Sequence, residues 1–416
     1  MSRADRENRI RKNIPVKSYF LGKMIGDFLE EQIDPAVNFL MSGDDENRRS
    51  ILYERIVQLY LSEEVEDRPI IVVVSSCKEN REMLDELEEA IESDKISRVR
   101  DFIKIDTDNP EYCLFKGMNA TQIEQAIEQS GKAFGDKRDA NNWNSSAFQG
   151  VCAILEKHNY KLTLNNLIKV FSSTQENIVS MLRAEGLTAE AEEVSKKGCS
   201  YIKSVLVKIR DSFPHISSKN GNISILDQVR KNQNDKRPAP CFCFVLPENN
   251  RAAFLEYLAK ELSLIGVDNE PILVLDEIGL TTVEGKPGEF YNYLLMNSGK
   301  SLNLSGESCG ALIPENNRKE FILAKTFIMM FVTGTAADVE LITIELGQYD
   351  KVVAEKNRGT ARTAFFLIPH DVHAGNVMRE VNDRARIEGK DLINLRANEA
   401  YLTYMGNACR VVGLRF

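Results

Sequence analysis

One short apolar run constrains the fold of this chain more than any other feature. Residues 271–277 read Pro-Ile-Leu-Val-Leu-Asp-Glu, so the run ends in two adjacent carboxylates, Asp276 and Glu277. A bounded run of this length predicts a strand that is buried on both faces, as in a parallel sheet. Parallel sheets carry their ligand chemistry at the carboxyl ends of the strands, where both acids would stand.

An acidic pair at this position suits nucleotide chemistry. Asp276 would hold Mg²⁺ through water, and Glu277 would polarise the attacking water. The alternative interpretation is a strand end with two solvated acids. A nucleotide site also needs a loop of the form GxxxxGK[ST] to wrap the phosphates. Gly299-Lys300-Ser301 supplies the last three residues, but Leu294 stands where the first glycine is required, so we identify no phosphate loop.

The composition narrows the class of protein. Among 416 residues, 43% are apolar and 28% charged, which is ordinary for a globular chain. The formal net charge of −9 argues against a protein that coats nucleic acid with its whole surface. We expect no membrane span, because no apolar stretch approaches the ~20 residues that one requires. The eight cysteines include no CxxC pair. We identify no signal peptide and therefore expect a reducing cytoplasm.

Alternating strand and helix patterns predict an α/β fold with a mostly parallel sheet flanked by helices. We divide the chain into a helical amino-terminal segment (1–69), a first α/β part (70–141), an all-helical insertion (142–215) and a second α/β part (216–416). Within the first segment, apolar residues at three- and four-residue spacings predict helix over 16–62. Strands are predicted near residues 70–74, 102–105, 241–246, 271–275, 301–304, 327–332 and 363–368, with a further strand region in 400–416.

Two other groups of residues are candidates for a nucleic-acid contact and a metal site. Basic residues recur between 201 and 238 and would form either a strip of phosphate contacts for nucleic acid or a solvated face. His370 and His373 flank Asp371 and would belong either to a metal site or to a polar loop. The basic residues proposed to contact nucleic acid are Lys203, Lys208, Arg210, Arg230 and Lys231.

An ordered series of motifs surrounds the acidic strand. After it come Gly299, an apolar strand over 301–304 and the pair Glu307-Ser308. Three further segments follow in order: Phe-Val-Thr-Gly-Thr-Ala-Ala-Asp at 331–338, Leu-Gly at 346–347 and residues 392–400. Lys78 lies upstream of the acidic strand. This order resembles the type IV secretion and conjugation coupling proteins of the TraD/TraG kind, and in particular their TraM-recognition region. The resemblance covers residues 70–416.

The resemblance implies a RecA-like, FtsK-related ATPase fold. Residues 272–277 would be its Walker B strand, and Glu307-Ser308 would replace a Gln-Ser nucleotide sensor. It further implies ATP and Mg²⁺ as cofactors if the protein is active, and a homo-hexameric ring. Its partners would be the secretion or conjugation machinery, accessory (relaxosome) proteins and single-stranded DNA. The location would be cytoplasmic or peripheral at the inner membrane.

The departures from the family pattern weaken the case for catalysis. We expect the Walker A loop and the membrane-spanning part of the family, which lie upstream of the position of residue 70, to be missing. Glu307 stands in place of the sensor Gln, Met296 in place of an Arg, and Ser76 in place of the Asp of an Asp-x-Lys motif. Loss of a phosphate cradle removes the main electrostatic stabilisation of phosphoryl transfer.

Two functions therefore remain open on the sequence. The first is a truncated or degenerate coupling-protein ATPase, with a phosphate loop supplied by a neighbouring subunit or a separate amino-terminal piece. The second is a non-catalytic module that binds relaxosome or secretion accessory proteins. The presence of Asp276 and Glu277 counts against the non-catalytic module, and the lack of an identifiable phosphate loop counts against the ATPase.

Overall fold

The strands and helices alternate along most of the chain. The computed structural model describes residues 16–20, 23–25, 37–43, 45–61, 69–76, 78–106, 112–134, 143–212, 222–235, 238–246, 251–265, 271–280, 288–296, 301–325, 327–346, 348–358, 361–365, 368–372, 376–385, 387–396, 399–404 and 407–415. The strands are β1 Val16–Phe20, β2 Lys23–Ile25, β3 Asn38–Ser42, β4 Ile71–Ser75, β5 Phe102–Ile105, β6 Cys241–Val245, β7 Ile272–Asp276, β8 Ser301–Gly306, β9 Phe327–Phe331, β10 Gln348–Arg358, β11 Ala361–Phe365, β12 Ile368–Val372, β13 Asn376–Ala385, β14 Glu399–Tyr404 and β15 Asn407–Arg415. The helices are α1 Asp45–Leu61, α2 Lys78–Glu92, α3 Ala120–Ala133, α4 Ser145–Lys157, α5 Leu164–Phe171, α6 Gln175–Ala184, α7 Thr188–Lys197, α8 Ser200–Ser212, α9 Ile225–Asp235, α10 Arg251–Ser263, α11 Glu289–Met296, α12 Cys309–Leu312, α13 Glu315–Lys325, α14 Ala336–Leu346 and α15 Gly389–Ile393.

A single 11-stranded sheet organises the described residues. Its order is β2-β1-β15-β14-β9-β3-β8-β7-β4-β6-β5. All neighbours from β9 to β5 pair in parallel, whereas β14 pairs antiparallel with both β9 and β15. The predicted α/β class with a mostly parallel sheet is therefore confirmed.

The central strands are buried on both faces, which explains their continuous apolar runs. On β4, Val72 and Val74 face the core layer that contains α3 and α10, whereas Ile71 and Val73 face the layer that contains α1 and α2. The two layers of helices enclose the sheet, and side chains alternate between them with the period of two that a strand imposes.

Residues 145–212 form the five helices α4–α8, and the division of the chain at 142 and 215 stays a prediction. Thr163 and Thr174 cap α5 and α6, because each hydroxyl accepts a hydrogen bond from a backbone N–H three residues on. The helical sequence pattern over residues 189–213 predicts one helix, but the structure has two, α7 and α8. Gly198 separates them with a φ of +69°, a left-handed conformation that suits glycine and ends α7.

The prediction of helix over residues 16–62 is wrong for the described part before residue 43. Residues 16–20, 23–25 and 38–42 are strands, and only α1 is helical. β3 lies in the middle of the sheet between β8 and β9. Its sequence, Asn-Phe-Leu-Met-Ser, has no β-branched residue, so apolar spacing alone does not distinguish it from a buried helix.

The segment after α14 also differs from the prediction. β10 pairs with β13 and β11 pairs with β12, both antiparallel, so one hairpin is nested inside the other. His370, predicted to lie in a polar loop or a metal site, is in β12 opposite Thr363. His373 lies outside the described residues. Among the described residues, no helix has the length and apolarity needed to cross a bilayer.

A buried carboxyl group connects three segments on the insertion side of the sheet. Glu261 of α10 is 0% exposed. It accepts hydrogen bonds from the Tyr112 hydroxyl and from the backbone N–H of Leu226 in α9. Burial raises the pKa of Glu261, and these hydrogen bonds lower it. The carboxyl group therefore fixes α9 and the segment around Tyr112 against α10.

We expect Tyr112→Phe to lower the free energy of unfolding by about 1–3 kcal/mol, because the buried Glu261 loses a hydrogen-bond donor. The edge-to-face packing of the ring against Phe242 and Phe244 would be kept. Tyr160→Phe is the matched control, since Tyr160 is 61% exposed. Urea unfolding of both variants measures the difference, and equal small losses would contradict the role assigned to the Tyr112 hydroxyl.

Candidate functional site

The acid pair lies where parallel sheets carry their chemistry. Asp276 ends β7 and Glu277 follows it, between the carboxyl ends of β4 and β8. Asp276 is 0% exposed and accepts a hydrogen bond of 3.2 Å from the Ser75 hydroxyl. Ser305 of β8 lies directly opposite Asp276 in the parallel register. The prediction that these acids stand at a strand end is confirmed, but Asp276 is not solvated.

An arginine from α1 faces both acids. Arg48 Nη1 donates to Asp276 Oδ1 at 2.8 Å and to Ser305 Oγ at 2.7 Å, and Nη2 donates to Glu277 Oε1. The side chains of Arg48 and Asp276 are 1% and 0% exposed, and that of Glu277 is 21% exposed. One buried guanidinium therefore bridges the two acids of β7 and the hydroxyl of β8.

The backbone at Glu277 is held in an unusual conformation. Its φ is +54°, in the left-handed region that costs a residue with a side chain about 1–2 kcal/mol. Three hydrogen bonds hold it there: its N–H donates to the Ser305 carbonyl, and its carbonyl accepts from Ser76 Oγ and Arg251 Nη1. The turn brings the Glu277 carboxylate to the same guanidinium that Asp276 binds.

The charge state of Asp276 depends on this pairing. The pKa of Asp276 is raised, because burial outweighs the lowering by the positive charge of Arg48 and by the hydrogen bonds from Ser305, Ser75 and Arg48. A buried carboxylate without such partners is costly. The guanidinium thus supplies the positive charge that an acid pair at this position needs.

Sequence reasoning missed Arg48, although a signal was present. Residues 43–50 read Gly-Asp-Asp-Glu-Asn-Arg-Arg-Ser, which matches GxxxxGK[ST] at the first glycine and at the hydroxyl residue. Arg48 stands at the second glycine and Arg49 at the lysine. The segment also has the strand–turn–helix arrangement of a phosphate loop, since it joins β3 to α1.

The local structure differs from a phosphate loop in two respects. Helix α1 already begins at Asp45, so only Gly43 and Asp44 link it to β3. Glu46 lies in the first helical turn, where its negative charge opposes a phosphate at the helix N-terminus. Ser50 Oγ donates to the Glu46 carbonyl one turn back at 3.2 Å.

A second network fastens β3 to its neighbours at the same edge. Asp338 is 0% exposed and accepts from Ser42 Oγ, from the backbone N–H of Cys309 and from Thr335 Oγ1. Gly43 follows Ser42 with a φ of +144°, and a Cβ on it would lie 2.6 Å from the backbone nitrogen of Thr333. The Gly-x-x-x-Asp motif at 334–338 thus has a structural role in this chain.

The predicted sensor pair lies beside the acids without contacting them in any hydrogen bond described. Glu307 is exposed immediately after β8, and Ser308 caps α12 by accepting from the backbone N–H of Ala311 at 3.1 Å. Met296, at the position of the family Arg, is 83% exposed at the end of α11. The sensor role of Glu307 and Ser308 stays a prediction.

The five basic residues divide between two helices. Lys203, Lys208 and Arg210 are on α8, whereas Arg230 and Lys231 are on α9. Several have intramolecular contacts: Arg210 with Asp211, Lys208 over the ring of Phe134, and Arg230 with the Gly117 carbonyl. Their role in nucleic-acid contact stays a prediction. The described residues include no cluster of three His, Cys, Asp or Glu side chains suited to a metal ion.

The residues at the acid pair are not arranged to bind Mg²⁺ and a nucleoside triphosphate. The guanidinium of Arg48 donates to Asp276 Oδ1 and Glu277 Oε1, so a positive group already holds one oxygen of each acid. Oxygen ligands are what Mg²⁺ requires, and here the nearest oxygens already accept from a fixed positive group. We derive no hydrolytic step from this arrangement.

Comparison with solved structures supports the fold. The bacterial conjugative coupling protein TrwBdeltaN70, in complex with sulphate, has a TM-score of 0.55 and 14% identity over 100% of this chain and 94% of that chain. TrwB in complex with ADP and Mg²⁺ has a TM-score of 0.54 and 14% identity, covering 98% of this chain and 92% of that one. TrwB bound to the ATP analogue ADPNP has a TM-score of 0.55 and 14% identity over 99% and 92%. No family model and no curated protein sequence matches this chain.

We expect Arg48→Ala to lower the free energy of unfolding by about 3–5 kcal/mol, because it leaves the buried Asp276 carboxylate uncompensated. Adding Asp276→Asn should recover part of this loss, so the two effects should not add. Denaturant unfolding of the two single variants and the double variant measures the coupling.

Arg98→Ala is the control for that cycle, because the Arg98 side chain is 68% exposed in its pair with Asp101. Its effect should stay within about 1 kcal/mol. Strictly additive effects of Arg48→Ala and Asp276→Asn would show that the ion pair contributes nothing to folding.

Proposed function

We propose that this chain is a coupling-protein-like component of a conjugation or type IV secretion apparatus that acts without hydrolysing ATP. The single observation that carries this proposal is the buried Arg48 guanidinium across Asp276 and Glu277. The likeness to TrwB over the whole chain and the order of the motifs after β7 support the choice of apparatus.

Burial also accounts for the presence of Asp276 in a non-catalytic protein. Removing one partner of a buried ion pair leaves the other charge unpaired and is strongly destabilising. With Arg48 in place, Asp276 is therefore needed for folding whether or not the protein binds nucleotide. The presence of the acid pair no longer favours an ATPase over an interaction module.

The proposed role is recruitment of substrate or accessory proteins on a rigid scaffold. The insertion, α4–α8, offers a separate helical surface, while the parallel sheet supplies the support. Relaxosome or secretion accessory proteins are the proposed partners, and single-stranded DNA would contact the basic residues of α8 and α9. A homo-hexamer and a cytoplasmic location, with peripheral contact at the inner membrane, belong to the same proposal.

We expect the purified full-length chain to bind no ATP–Mg²⁺ at millimolar concentration, because Arg48 and the acidic start of α1 oppose both the cation and the phosphates. Isothermal calorimetry measures binding, and release of inorganic phosphate measures hydrolysis. Circular dichroism on the same sample shows that the protein is folded. Saturable heat, or hydrolysis that disappears in Glu277→Gln, would overturn the proposal and restore the ATPase hypothesis.

The cellular role is tested by replacing the gene in a donor strain. Deletion should reduce DNA transfer or secretion, and the Glu277→Gln variant should restore the wild-type frequency, because no water needs activation. Immunoblotting controls for the amount of each protein. Loss of transfer with a folded, normally abundant Glu277→Gln variant would show that hydrolysis is required. Unchanged transfer and secretion in the deletion strain would show that the protein does not serve this apparatus.

A further inference from the structure

The position of Arg48 in the chain is as informative as its contacts. Residues 43–50 keep the first glycine and the final hydroxyl of a phosphate-loop pattern at the required spacing, in Gly43 and Ser50. Arg48 takes the position of the second glycine, which has no side chain in that pattern. A side chain added there reaches from α1 over β8 to the end of β7, where it meets the two acids.

The contacts of Arg48 are those of a cation in an oxygen site. Asp276 Oδ1 and Ser305 Oγ lie 2.8 and 2.7 Å from Nη1, and Glu277 Oε1 accepts from Nη2. These oxygens come from two neighbouring strands and converge on one group. Ser75 supports the arrangement from a third strand through its hydrogen bond to Asp276 Oδ2.

The geometry points to the Arg48 guanidinium as the resident cation of this site: a protein-borne group that takes the place of a divalent metal ion at the acid pair. This inference rests on the proposed function, since both start from the same ion pair, and it adds what the pair replaces. Residues 43–50 are then a converted phosphate loop, in which Arg48, at the position of the second glycine, permanently supplies the positive charge.

The charges of the three side chains give this inference a testable consequence. Two carboxylates carry two negative charges and one guanidinium carries one positive charge, so Arg48 compensates half of the negative charge of the acid pair. Without the guanidinium, the same oxygens would face a cavity that water and a divalent cation can enter. Carboxylate, hydroxyl and water oxygens are the ligands that Mg²⁺ and Mn²⁺ prefer.

The experiment removes the occupant and supplies a metal ion alone. Wild type, Arg48→Ala and the double variant Arg48→Ala/Asp276→Asn are titrated with Mn²⁺, and electron paramagnetic resonance measures the free ion. Urea unfolding is followed in parallel with Mn²⁺ or with NaCl of equal ionic strength. Arg98→Ala serves as a control for loss of a surface arginine.

We expect Arg48→Ala to bind one more Mn²⁺ per chain than wild type and to unfold at higher urea concentration when Mn²⁺ is present. Wild type, Arg98→Ala and the double variant should show neither change. If Arg48→Ala folds only when Mn²⁺ is added, the result supports the inference equally.

Three results would overturn it: no additional Mn²⁺ bound by a folded Arg48→Ala, the same additional binding in the double variant, or an Arg48→Ala chain that stays unfolded at every Mn²⁺ concentration. None of these results touches the proposed function, which fails if wild type binds or hydrolyses ATP, if a folded Glu277→Gln variant loses transfer, or if the deletion strain is unaffected. The two conclusions are therefore tested separately.

Discussion

The carboxyl edge of the central sheet depends on one buried ion pair. Arg48 of α1 contacts Asp276 and Glu277 after β7 and Ser305 in β8, with almost no exposure of the guanidinium. Charges removed from water are tolerated only when they are paired and hydrogen-bonded. The pair therefore fixes α1 against the sheet, and loss of Arg48 or Asp276 alone leaves the other buried charge unpaired.

Polar side chains at the same edge of the sheet are bonded within the protein. In the described residues, the groups at the ends of β3, β4, β7 and β8 are bound to one another: Ser42 to Asp338, Ser75 to Asp276, and Arg48 to the acid pair. Residues that match family motifs thus serve packing and charge balance in this chain. The likeness to the solved coupling-protein structures is one of architecture, and the side-chain contacts at this edge are particular to this chain.

Burial on both faces explains which elements were predictable. Strands β4, β6, β7 and β9 have continuous apolar runs, and α4, α5 and α6 begin at side-chain caps, so these elements were predictable from sequence. β3 was mistaken for helix because Phe39, Leu40 and Met41 favour neither state. The break between α7 and α8 was missed because it depends on one glycine with a positive φ.

The sequence by itself determined a parallel sheet and an acidic pair at the end of one of its strands, since apolar runs and their polar ends are local properties. Only the tertiary structure decided what faces that pair. Arg48 and Asp276 are 228 residues apart, and they meet because the strand order places β8 alone between β3 and β7. Whether two acids bind a metal ion or an arginine depends on this long-range arrangement, because the charge that compensates a buried carboxylate comes from whichever group the fold brings to it.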